Sequence, residues 1–416
     1  MRSPRASARD ALVILFLVNV LNFYDRQAVG AVLEPLRREF HLSDAQLGGL
    51  TTVFTVLYAV AGLPLGRLAD RWSRKWLLAA GVTVWAGLTG LSGLAASYTG
   101  LLATRLGVGI GEAVCAPAAT SWIGDLVPPD RRARAMAGFM MAIPVGGMLS
   151  FAVTGPLAQA HGWRIALATA ALPAVVLVPA LAWLREPRET GGAARASALG
   201  APQPWLPLLK IRAFWWIVAS GAVVNFALYS FSTFLPAFLT RVHGLSIARA
   251  GLAAGIGSGI AGILGAAAAG LLGDRAARPA PRLRLASAAA LLAALPAFAA
   301  ICFGTGALVL LMLAYGLLQM YYGLVYAAIQ DMVVPGLRGT AMAVYFMAMY
   351  LFGASFGPVL TGRLSDHFAL RVAAGGAITE AARAAGLREA MYVIPVLAVV
   401  LAAVLWGAAR EAANAR

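Results

Sequence analysis

Long apolar stretches alternate with short polar ones along the whole chain. Runs of about twenty apolar residues recur, each long enough to cross roughly 30 Å of hydrocarbon as a helix rising about 1.5 Å per residue. They predict twelve spans, at 11–32, 45–66, 76–96, 101–123, 133–157, 164–184, 212–238, 248–271, 284–303, 306–329, 338–361 and 390–409. The first follows Arg2, Arg5 and Arg9 as a secretion signal would, but it continues through Asn19, Asn22, Asp25 and Arg26 to Leu33. No small-residue cleavage site interrupts it, so it reads as a retained helix. Another helix fits 378–390, inside the polar segment between the last two spans.

The pattern also repeats on a larger scale. GRLADR at 66–71 returns as GLLGDR at 270–275, an offset of 204. Asp125, Pro129, Arg132 and AMA at 135–137 return as Asp331, Pro335, Arg338 and AMA at 341–343, an offset of 206. Gly155-Pro156 returns as Gly357-Pro358, 202 residues on. Nearly constant offsets predict two parallel six-helix units, each starting on the same side of the membrane. The expected organisation is a bundle over 1–184, a linker over 185–210 carrying Pro187, Pro202, Pro204 and Pro207, and a second bundle over 211–416. The fold class is all-α integral membrane protein.

Composition excludes a soluble domain: 61% of the 416 residues are hydrophobic and 12% charged, with a mean hydropathy of +0.78. A net charge of +16 would suggest nucleic acid in a soluble protein, but here the charges sort by side. Of the 33 Lys and Arg, 22 fall in the termini and the loops on their side, 9 in the opposite loops, and Arg26 and Arg105 lie inside spans. The positive-inside rule therefore predicts cytoplasmic termini. The basic excess serves topology and contact with membrane lipids, and nucleic acid is not an expected partner. The four histidines fall in or beside the opposite loops, and Cys115 and Cys302 sit in different spans, so neither metal nor cofactor is expected.

GRLADRWSRK at 66–75 resembles the major facilitator superfamily signature between the second and third spans, and RLGVGIGEA at 105–113 resembles its fourth-span signature. The resemblance covers nearly the whole chain. It implies two six-helix bundles rocking about a midplane cavity. NFYDR at 22–26, GIGEA at 109–113 and AIPVGG at 142–147 are similar to the spinster-like lysolipid and sphingolipid transporters. The first two elements also occur in organic-anion and cation symporters, which leaves an aromatic or sugar acid as an alternative cargo. The expected setting is a bacterial inner (plasma) membrane, with the protein acting as a monomer.

An ionisable group inside the bilayer is a functional candidate because its burial costs from about 2.5 to more than 10 kcal/mol. Asp25 and Arg26 in the first span, with Arg105 and Glu112 in the fourth, are the candidates; the last two stand seven residues apart on one helical face. Asp25 and Glu112 form an expected proton-coupling pair, while Arg26 and Arg105 alternate between those acids and an anionic headgroup. The alternative is a fixed salt-bridge knot between the two spans. Asn19, Asn22 and Arg26 share a stripe expected to line a cavity, and Gly109 leaves room for a substrate or a facing helix.

No charge lies near the middle of the second-half spans, which offer aromatic rings instead. Tyr315, Gln319, Tyr322 and Tyr326 follow a helical face, joined by Asn225 and Tyr229 in the seventh span and by Tyr345, Met349 and Phe352 in the eleventh. A charged half facing an aromatic half suits an amphiphilic anion. Asp70, Arg74 and Asp125 match superfamily residues that form a charge relay near the start of the eleventh span, here at Arg338, and predict a cytoplasmic gate. The second copy keeps Asp274-Arg275 but has Arg278-Pro279 in place of the Arg-Lys pair, which weakens the case for a second latch. No metalloprotease, serine-hydrolase or P-loop signature is present, so the chain reads as a carrier and not an enzyme.

Overall fold

The computed structural model describes residues 4–186, 206–276, 278–303, 306–334 and 337–414. Among them every regular element is a helix. In hydrocarbon a backbone must satisfy its own polar groups, and a continuous helix does so within one segment. Eleven stretches of the described residues are long and apolar enough to cross a membrane by length and composition. The third position in the order of spans is held by Arg74–Ser92, a helix of 19 residues that starts with two cations.

The first three spans are Pro4–Ala31, Asp44–Arg71 and Arg74–Ser92. The fourth, fifth and sixth are each interrupted once, as Tyr98–Glu112 with Cys115–Leu126, Pro129–Met140 with Ala142–His161, and Trp163–Ala170 with Leu172–Trp183. Each break lies just ahead of a proline, Pro117, Pro144 or Pro173. A proline nitrogen cannot bond the carbonyl four residues back, so the helix loosens there.

In the second half, Arg212–Arg241, Ile247–Arg275, Pro279–Cys302 and Ala307–Met332 are continuous. The eleventh span runs from Arg338–Ala348 through a π-helical stretch at Met349–Ala354 into Phe356–Ala373. The short helix Glu380–Ala390 and the last span, Val393–Asn414, follow. The expected helix near 378–390 is therefore present. The eleventh span continues twelve residues beyond the expected end at 361, because Arg363, Asp366 and Arg371 lie on its helical extension.

The described residues divide into two compact units. One gathers those within Met1–His41, Val53–Ala201 and Ser246–Gly255; the other gathers those within Leu42–Thr52, Pro202–Leu245 and Ile256–Arg416. Each unit thus includes a short piece from the other half of the sequence. Most of the linker expected at 185–210 lies outside the described residues. The first unit packs around Leu78, Trp85, Trp122 and Ile123. The second packs around Phe214, Tyr321, Tyr345 and Leu405. Without a hydrophobic drive between helices in lipid, such packing depends on close approach. In the first unit Gly155 and Gly251 meet so tightly that a Cβ on Gly251 would stand 2.7 Å from the Phe151 carbonyl oxygen. Gly255 makes a similar approach, where a Cβ would stand 2.6 Å from the Met148 carbonyl oxygen.

The side opposite the termini carries a small clamp in the first unit. Trp163 Nε1 and Arg164 Nη1 both donate to Glu39 Oε2 at 2.7 Å, and Phe40 meets Trp163 edge-on with ring centres 5.9 Å apart. The bonds from Arg164 and then Trp163 hold the Glu39 carboxyl below its ordinary value of 4.5. A lowered value in the folded protein means that the pairing adds stability above 4.5 and loses it as pH falls through the depressed value. Glu39→Gln is expected to lower the melting midpoint in detergent slightly at neutral pH, since so exposed a pair contributes under about 1 kcal/mol. The difference between variant and wild type should close in acid well below 4.5; a pH-independent difference would refute the assignment.

Candidate functional site

The ionic residues of the first half converge. Asp25 and Glu112 are fully buried, and Asn22, Arg105 and Asn19 nearly so. Arg26 Nε donates to Glu112 Oε2 at 2.8 Å, joining the first span to the fourth. The Arg26 guanidinium carbon stands 4.1 Å from the centre of the Tyr58 ring, 4.7 Å from that of Phe23 and 5.5 Å from that of Phe54. Stacking engages the face of a guanidinium and not its N–H edge, so the same cation can lie among rings and still bond a carboxylate. Arg105 Nη2 donates to Thr89 Oγ1 at 3.2 Å. Asp25 has Glu112, Arg105 and Thr89 as its polar neighbours.

Two glycines make this convergence possible. A Cβ on Gly109 would stand 2.6 Å from the Phe54 carbonyl oxygen, so the space beside Gly109 holds the second span. A Cβ on Gly146 would stand 2.5 Å from the Val20 carbonyl oxygen, where the fifth span crosses the first. Asn19 is engaged with those neighbours: its Nδ2 donates to the Phe139 carbonyl at 3.0 Å, and its Oδ1 accepts from Cys115 Sγ at 3.9 Å. Asn19 therefore bonds neighbouring helices, whereas Asn22 lies beside Glu112.

The second unit carries the aromatic stripe. Tyr315, Gln319, Tyr322 and Tyr326 are all half-buried along the tenth span. Gln319 Nε2 donates to Tyr315 Oη at 2.7 Å, and Tyr322 Oη donates to Asn225 Oδ1 at 3.1 Å. The Tyr322 and Tyr326 rings are 5.7 Å apart, and Tyr326 meets Tyr345 edge-on at the same distance. The three residues named in the eleventh span differ in burial. Tyr345 and Met349 are buried while Phe352 is 59% exposed. The π-helical stretch beginning at Met349 shifts the register: the Ser355 N–H and hydroxyl both bond the Tyr350 carbonyl, five residues back. That shift sets Tyr350 against Tyr229, ring centres 6.3 Å apart. Sequence periodicity missed Tyr350 because it assumes an unbroken α-helix.

Of the expected gate residues, Arg74 is buried and its Nη2 bonds Asp125 Oδ2 at 2.6 Å. The side chain of Asp70 lies outside those described. Arg338 Nε donates to the Val333 carbonyl at 3.1 Å. Glu186, which sequence reasoning passed over as a linker residue, is buried; it accepts from Ser73 Oγ at 2.7 Å and from the Arg74 N–H at 3.2 Å. It thus caps the start of the third span, where a carboxylate is favoured. The second copy also has a pair, contrary to expectation: Arg282 bonds Asp331, the repeat counterpart of Asp125, and donates to the Gly273 carbonyl.

A second ionic cluster, on the side opposite the termini, escaped the sequence reading. Asp44, nearly buried at the start of the second span, accepts from Arg241 Nη1 at 2.8 Å and from Ser365 Oγ at 2.6 Å. Asp366 accepts the N–H groups of Asp44 and Ala45, both at 2.9 Å. All four residues belong to the second unit. At span ends these charges resemble ordinary loop residues, and only their separation in sequence hides the cluster.

Repeated six-helix halves, a buried ionic knot and an opposing composition of tyrosines define a polytopic carrier of small molecules. A transporter of this kind needs two arrangements of its helices and no reactive centre, and no group of three or more metal-ligating side chains occurs among the described residues. The chain belongs to the major facilitator superfamily, whose pattern matches residues 15–358. It is 33% identical over 361 residues to an MFS-type efflux pump of Mycolicibacterium smegmatis, covering 86% of this chain and 84% of that one. It is 32% identical over 239 residues to the sphingosine-1-phosphate transporter SPNS2 of Danio rerio, covering 55% and 47%. A bacterial homologue of the human lysosomal transporter Spinster, crystallised inward-facing and unoccupied, matches with a TM-score of 0.88 at 28% identity, over 99% of this chain and 98% of that one. Within the superfamily the chain is spinster-like, and it is a transporter rather than an enzyme.

Removing one partner of a buried ion pair costs about 3–5 kcal/mol, because the remaining charge keeps its desolvation penalty. Asp44→Ala is expected to lower stability in detergent by about 3 kcal/mol, and Asp44→Ala with Arg241→Met to recover a large part of that loss. Additive effects of the two substitutions would show that they do not act as a pair.

Proposed function

We propose that the chain is a secondary active transporter that moves an amphiphilic anion, of the lysophospholipid or sphingolipid kind, by proton-driven alternating access. The observation that carries this reading is the buried bond between Arg26 and Glu112. Adding a proton to Glu112 removes the charge that holds Arg26. The guanidinium is then available to an anionic headgroup, and the loss of the proton reverses the exchange. Each occupant of the arginine favours a different arrangement of the bundles, which couples the two fluxes.

Asp25 and Arg105 give the same logic a second site. A fully buried carboxylate close to both a cation and another acid is suited to taking up and releasing a proton. In the other unit, the half-buried tyrosine stripe and Asn225 give a slot for an apolar or aromatic body with a few polar groups. The first unit thus carries groups suited to a charged headgroup, and the second carries groups suited to an apolar body. The name of one relative, a sphingosine-1-phosphate transporter, supports this cargo. Arg74, Asp125, Asp70 and Arg338 act as the gate on the termini side. The protein sits in a bacterial inner membrane with that side in the cytoplasm and works as a monomer.

The test is uptake into proteoliposomes under an imposed pH gradient. Glu112→Gln is expected to abolish pH-driven uptake while leaving exchange of labelled substrate and the melting midpoint nearly intact; undiminished pH-driven uptake would sink the proposal. Arg26→Ala should weaken lysolipid binding by about tenfold or more, the equivalent of one charge-assisted hydrogen bond. Selective binding of sugar or aromatic acids in place of lysolipids would move the cargo to small organic anions.

A further inference from the structure

A shallow groove lies on the second unit, away from the ionic knot and the tyrosine stripe. It encloses about 440 Å³ and is lined by Arg212, Trp215, Trp216, Ala219 and Glu411. Arg212 is the first residue of the seventh span, and Glu411 lies three residues before the end of the twelfth. Alternation of the spans puts both ends on the termini side. The Trp215 and Trp216 side chains, about one turn further in, are 39% and 43% exposed. The six-membered ring of Trp216 lies over Gly407, where an added Cβ would stand 3.2 Å away. The groove wall is therefore built by the two spans together.

Arg212 and Glu411 line one groove with opposite charges, yet neither makes an ion pair or side-chain hydrogen bond among the described residues. Opposite charges left unjoined in one groove fit a ligand that itself carries both signs. The level matches, since indole rings favour the interface between headgroups and hydrocarbon. An ammonium also gains from lying over an indole face. We propose that this groove binds the headgroup of a zwitterionic phospholipid with a primary ammonium, phosphatidylethanolamine. Its phosphodiester bonds Arg212, its ammonium donates to Glu411 over the two indoles, and its chains run past Ala219 into the bilayer. An anionic glycerol headgroup lacks the cation that Glu411 requires. A choline headgroup has the charge but no N–H to donate.

The proposal is tested on the purified full chain by native mass spectrometry with phosphatidylethanolamine, phosphatidylcholine and phosphatidylglycerol of identical acyl chains. Wild type is expected to retain phosphatidylethanolamine about fivefold over phosphatidylglycerol, near the upper range of one exposed ion pair. Glu411→Gln should close that gap, and Arg212→Gln should lower retention of all three lipids. Arg284→Gln, which removes a cation 5.8 Å from the Trp406 ring, is the control and should change none. No preference in wild type, a preference that survives Glu411→Gln, or an equal effect of Arg284→Gln would overturn the assignment. So would a lowered melting midpoint in Glu411→Gln with lipid preference unchanged, which would make the groove purely structural.

Discussion

A guanidinium or carboxylate inside hydrocarbon must be neutralised, and this requirement shapes the first half of the protein. The bond from Arg26 to Glu112 can form only if the first and fourth spans lie side by side at that depth. Gly109 and Gly146 permit the approach by letting backbone carbonyls of the second and first spans come within reach. Tyr58, Phe23 and Phe54 then cover the face of the cation with rings, which replaces part of its lost hydration.

The three ionic clusters divide the labour by depth. At mid-span, two acids and two bases are gathered in one unit. Toward the termini, Arg74 with Asp125 and Arg282 with Asp331 tie the start of each repeat's third span to the end of its fourth. On the opposite side, Asp44, Arg241, Ser365 and Asp366 tie the start of the second span to the seventh and eleventh. Each of these contacts lies within one compact unit and fixes the register of the spans it joins.

Much of the fold was legible because hydrocarbon thickness imposes a length that few other structures share. The errors follow from the same rule. Helices do not stop at the bilayer surface, so the eleventh span continues through Arg363 and Asp366, residues that look like loop. The mid-span charges were legible because an ion in an apolar run has few innocent explanations. Thr89, Tyr58 and Phe54 were not, since what they do depends on which helix each one faces. Nor was Tyr350, whose position follows from a one-residue widening of a helical turn. The cluster around Asp44 was hidden for a third reason: its members are spread across more than three hundred residues of sequence, and each alone is an unremarkable charge at a span end.

The relation between the two repeats holds one more lesson, in the pair that the second copy was not expected to possess. Shifting Arg74 by the local offset of 204 leads to residue 278, yet the arginine that holds Asp331 is Arg282, one helical turn further along. A column-by-column comparison of the halves would assign the bond to Arg278, although the donor that makes it stands at a new address, Arg282. A side chain as long as arginine covers about a turn of helix, so duplicated genes can drift by that amount while keeping the same bond. Ancient symmetry in such proteins is better sought in which charges can reach one another than in which letters align.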